Sequence, residues 1–79
     1  MLFLIEYDRN LGRIVTMKSY EDSDRKRAEE SRLELELELN LNGIENEVVL
    51  LEAKSEAAVR RTHRRYFEDL SELTAAPTR

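Results

Sequence analysis

Leu33-Glu34-Leu35-Glu36-Leu37-Glu38-Leu39-Asn40-Leu41-Asn42-Gly43 is the stretch that decides the fold. Its leucines alternate with polar residues at period 2, which is the pattern of a half-buried strand. Asn42-Gly43 is also a hairpin-turn dipeptide. A four-stranded reading, with residues 33–41 paired to residues 44–52, is therefore open. Leu and Glu are strong helix formers, however, and strands favour Val, Ile, Thr and Tyr. From Asp24 to Leu41 no β-branched residue interrupts the run. Gly43 then supplies the left-handed residue that commonly ends a helix. The preferred reading is a helix over Asp24–Leu41. Ser19 or Ser23 is available as its N-cap, and Glu21, Asp22 and Asp24 stand where the helix dipole favours acids.

Upstream, Leu2–Tyr7 (LFLIEY) is a short apolar run that reads as a strand buried on both faces. Asp8-Arg9-Asn10-Leu11-Gly12 has turn chemistry, and Arg13–Ser19 (RIVTMKS) is a second strand. Downstream, Ile44–Ala53 contains Val48-Val49-Leu50-Leu51, again a run to be buried on both faces. Ser55 caps a final helix in which Val59, Thr62, Tyr66, Leu70 and Leu73 recur at helical spacing. Ala75-Ala76-Pro77-Thr78-Arg79 ends the chain as a frayed tail, because proline cannot continue a helix.

The order is β-β-α-β-α. The first strand is the most apolar and belongs in the middle, giving the order 2-1-3. The outer strands then run parallel, joined by a crossover helix. The expected fold is an α+β, two-layer α/β sandwich. It has a three-stranded mixed sheet with both helices on one face, as a single domain over residues 1–74 and a tail over 75–79.

The chain has 79 residues, 38% charged and 41% hydrophobic, with a net charge of −4. Residues 1–53 hold 7 Lys/Arg against 13 Asp/Glu, and residues 54–79 hold 6 against 4. An acidic balance argues against a general polyanion binder. There is no cysteine, one histidine and only two glycines. Thiolate nucleophiles, cysteine-based metal sites and Gly-rich phosphate loops are thereby excluded. Neither a catalytic constellation nor a metal or cofactor site is expected. Met1–Ile5 is too short and lacks the basic flank of a signal segment, and no run approaches a membrane span. The expected compartment is the cytoplasm.

Three groups of residues remain as candidate sites. Arg60, Arg61, Arg64 and Arg65 fan across the solvent face of a continuous final helix and suit phosphate or nucleic-acid recognition. The same residues also form i,i+4 pairs, Glu56–Arg60, Arg64–Glu68 and Arg65–Asp69, which is the ordinary chemistry of a solvated face. His63 and Tyr66 are candidates for a small-molecule pocket. A boundary histidine beside Phe67, and a core tyrosine whose hydroxyl reaches a polar edge, describe them equally well. Glu34, Glu36 and Glu38 point three ways on a helix and make no catalytic pair.

The third group is Leu33, Leu37 and Leu41. They form a stripe opposite Ala28, Leu35 and Leu39, so one stripe packs on the sheet and the other needs a cover. A chain this short has little core of its own, and association supplies burial. The leading expectation is a non-catalytic interaction or oligomerisation module, a homodimer. A nucleic-acid or phosphate binder, and a pocket protein or enzyme at His63 and Tyr66, are the alternatives.

Overall fold

In the computed structural model, which describes residues 1–67, the element order is the expected one. Strand β1 is Leu2–Asp8, β2 is Arg13–Tyr20, helix α1 is Arg25–Leu41, β3 is Glu47–Glu52 and α2 is Glu56–Thr62. Residues 33–41 are helical, and the four-stranded alternative falls. Asn42 and Gly43 close α1, with Gly43 at φ +68° and Ile44 N–H donating to Leu39 O at 2.9 Å. At the other end neither serine caps α1. Ser19 belongs to β2, and Ser23 lies in a 3-10 turn over Asp22–Asp24.

The sheet order is β2-β1-β3. Both neighbours run antiparallel to β1. The outer strands are therefore parallel to each other, but the sheet is antiparallel throughout rather than mixed. β1 and β3 pair without interruption from Leu2↔Glu52 to Tyr7↔Glu47. The β1–β2 pairing slips between Glu6↔Thr16 and Tyr7↔Ile14, leaving Val15 as a bulge. That extra residue brings Ile14 and Met17, three apart, onto one face.

The two faces of the sheet carry separate cores. Leu2, Leu4 and Tyr20 pack with Ala28 of α1, and Val48 and Leu50 join them. Ile5 and Tyr7 pack with Tyr66, joined by Ile14, Met17, Val49, Leu51 and Phe67. Alternate residues of a strand point to opposite faces, so these cores lie on opposite sides of the sheet. The expectation of one helical layer needs correction here. Sheet and α1 make two layers, and Tyr66 and Phe67, beyond α2, cover the far face. The reason lies in β1, whose side chains Leu2 to Tyr7 are all buried. A strand apolar on both sides has to be covered on both sides.

The β3 run is only half-buried, not enclosed. As an edge strand it has, among the described residues, a neighbouring strand on one side alone. The final helix also departs from expectation. Ser55 caps α2, its Oγ accepting from Ala58 N–H at 3.1 Å, and Val59 is fully buried. Helical geometry ends at Thr62. His63, at φ −123° and ψ 52°, turns the chain into a 3-10 turn over Arg64–Tyr66. Thr62, placed on the buried face by periodicity, is exposed, and its hydroxyl donates back to Ala58 O. Leu70, Leu73, the end of the domain at residue 74 and the 75–79 tail lie outside the described residues.

Candidate functional site

The turn at His63 rearranges the arginine group. Arg60 and Arg61 stand on α2, while Arg64 and Arg65 follow the break, so the four do not share one helical face. Arg60 pairs with Glu56 at 2.8 Å, as the i,i+4 spacing predicted, and its guanidinium lies 4.7 Å from the Phe67 ring centroid. Arg65 points back to the sheet instead. It reaches Glu47 Oε1 at 3.0 Å and lies over the rings of Tyr66 and Tyr7 at 4.5 and 5.9 Å. The partners expected for Arg64 and Arg65, Glu68 and Asp69, are outside the described residues.

Glu47 is the centre that sequence reading did not find. It is the first residue of β3, opposite Tyr7. Tyr66 O–H donates to its Oε2 at 2.6 Å. Arg65 and Arg9 meet its Oε1 at 3.0 and 3.2 Å. Tyr7 and Tyr66 stand edge to face, their centroids 5.1 Å apart. The cluster thus ties four separate segments together: β1, the first turn, β3 and the 3-10 turn.

Its chemistry is that of a clamp. The hydrogen bond from Tyr66 holds the Glu47 carboxyl below the ordinary glutamate range against the cost of its desolvation, and Arg9 and Arg65 pull the same way. Burial, and then the bond to that carboxylate, push the Tyr66 hydroxyl above the ordinary tyrosine value. The acid is held charged and the tyrosine neutral, so neither exchanges a proton near pH 7. The Tyr66 ring is core and its hydroxyl sits at a polar edge. His63 is half-buried and serves as the C-cap residue of α2, with its backbone N–H on Val59 O.

Sequence reading placed the two leucine stripes on opposite sides of α1, and they are there. Ala28 and Leu39 are buried, and Leu35 is half-buried. Leu33, Leu37 and Leu41 are 57%, 60% and 78% exposed. The carboxylates between them remain on the surface, Glu36 being held by Arg32 at 3.0 Å. Among the described residues no group of acids or histidines is placed to hold a metal ion, and no helix is long and apolar enough to cross a membrane.

Comparison with known proteins finds no matching family model, no matching curated protein and no matching solved structure.

Proposed function

We propose that this protein is a non-catalytic interaction module that works as a homodimer. The observation that carries the reading is the apolar strand β3, whose outer side has no neighbouring strand among the described residues. Leu33, Leu37 and Leu41 lie open on α1, and the apolar strand β3 forms one edge of the sheet. Contiguous exposed apolar side chains mark sites of association, and an open strand edge is a template for a second chain. A second copy is the simplest cover, because an isologous contact closes on itself.

The phosphate or nucleic-acid alternative required four arginines on one continuous face. The break at His63 removes that face, and Arg60 and Arg65 are already engaged by Glu56 and Glu47. The pocket alternative required free groups at His63 and Tyr66, and the Tyr66 hydroxyl is committed to Glu47. The homodimer reading is tested by light scattering over a hundredfold dilution. A mass of two chains, falling toward one at the lowest concentrations, supports it. A single-chain mass at every concentration overturns it.

A further inference from the structure

The two edges of the sheet are not alike. β2 is bulged at Val15 and carries Arg13 and Lys18, devices that keep an edge from pairing. β3 has none of them. Its six residues, Glu-Val-Val-Leu-Leu-Glu, pair with β1 in unbroken register and contain no glycine, proline or lysine. The charges at its two ends are neutralised within the chain. Arg25 holds Glu52 at 2.9 Å, and Arg9 and Arg65 hold Glu47. Among the described residues, what remains is an apolar strand with one row of backbone donors and acceptors unpaired by any neighbouring strand.

The side of α1 that overhangs this edge carries a charge pattern. Arg25, Glu29 and Arg32 line a cleft with Val48, Val49, Leu50 and Leu51, and Glu36 continues the row through its bond to Arg32. The signs along α1 alternate: plus, minus, plus, minus. Laid antiparallel against itself, this row is self-complementary. Arg25 meets Glu36 of a second copy, and Glu29 meets Arg32.

Resting on the homodimer reading, we infer that two copies join edge to edge through antiparallel β3 strands, making a six-stranded sheet with the two α1 helices side by side on one face. A two-fold axis perpendicular to the sheet relates antiparallel neighbours, so residues that face α1 must pair with residues that face α1. The strand pairing is then centred on Val49 or on Leu50. The helix row supplies an independent centre, midway between Glu29 and Arg32. The Arg25–Glu52 bond ties the two scales together. Five and a half helical residues rise about 8 Å, the length of about two and a half strand residues. Counting back from Glu52, this falls between Val49 and Leu50, about half a strand residue from either permitted centre. Spacing agrees as well. Strands lie about 4.8 Å apart, and α1 packs over β1 and β3, so its axis stands about 10 Å from its copy, a normal distance between packed helices. The leucine stripe at Leu37 points away from this contact and stays on the outer surface of the dimer.

Charge reversal tests the arrangement without touching the core. Glu29→Arg alone and Arg32→Glu alone should each weaken the dimer at least tenfold at low salt, read by sedimentation equilibrium. Mixing the two variants should restore a dimer, since each then meets its opposite across the axis. Changes within one chain cannot produce that rescue. Amide exchange should also show alternate N–H groups of Val48–Leu51 gaining protection as concentration rises. Leu37→Glu should leave the mass unchanged. If wild type is a dimer that Leu37→Glu dissociates while the charge variants and their mixture behave like wild type, the edge contact is wrong and the homodimer stands. The edge contact is also wrong if the β3 amides are equally protected at all concentrations. A wild-type monomer at every concentration overturns both readings together.

Discussion

Tyr66 and Glu47 are joined by a 2.6 Å hydrogen bond from the phenolic hydroxyl to the carboxylate. Nineteen positions separate them in the chain, and the bond fixes the 3-10 turn over Arg64–Tyr66 across the face of the sheet opposite α1. Because the hydroxyl leaves a core ring at a polar edge, its removal should cost stability without creating a large cavity. Tyr66→Phe should destabilise the fold by about 1.5–3 kcal/mol, the range for a bond to a charged acceptor. Tyr66→Ala should cost about 3–5 kcal/mol, since the ring is lost too. Urea denaturation distinguishes them. Equal midpoints for wild type and Tyr66→Phe would show that the bond contributes nothing.

The same pair predicts the pH dependence of stability. Glu47 is lowered on folding, so the unfolded chain binds its proton at higher pH than the folded one. Its contribution is complete above the ordinary glutamate range and is lost as pH falls through the folded value. Tyr66 is raised, so its contribution is complete below the ordinary tyrosine value and is lost as pH rises through the folded one. Glu47→Gln should flatten the acid limb of a plot of denaturation midpoint against pH. An acid limb with the wild-type slope in Glu47→Gln would place the titration elsewhere.

Arg61 and Arg65 should part company on substitution. Arg61→Gln should change stability by less than about 0.5 kcal/mol, as exposed charges do. Arg65→Gln should cost about 1 kcal/mol, because its guanidinium serves both Glu47 and the two tyrosine rings while remaining largely in water. Parallel denaturation curves for the two variants would dissolve the distinction.

Leu39 and Leu37 are two residues apart on α1 and face opposite ways. Leu39→Ala should destabilise by about 2–5 kcal/mol, the cost of truncating a core leucine. Leu37→Ala should leave the unfolding free energy of a single chain almost unchanged. Measurement at low protein concentration separates folding from association.

Gly43 offers a test of backbone strain alone. It stands at φ +68°, and beyond its two chain neighbours no atom lies within 4 Å of where a Cβ would be. Gly43→Ala should therefore cost about 1 kcal/mol, from the left-handed conformation and not from a clash. A loss several times larger would mean that the α1–β3 connection is itself packed.

Sequence alone determined the elements and their order. The composition of Asp24–Leu41 was helix-forming strongly enough to prevail over its period-2 pattern, because no residue in it prefers a strand. The unbroken apolar run of β1 put that strand in the centre, and the stripe geometry of α1 placed Leu39 inside and Leu37 outside. Each of these is a local property, readable from periodicity and propensity. The Glu47 cluster was not readable, because Arg9, Glu47, Arg65 and Tyr66 lie in separate segments with no spacing that links them. Only the register of β3 against β1 sets Glu47 opposite Tyr7. Only the turn at His63 delivers Tyr66 and Arg65 to it, in a segment whose own pattern favours continuing the helix. The tertiary structure decided that turn, because β1 is apolar on both faces and α1 covers only one of them.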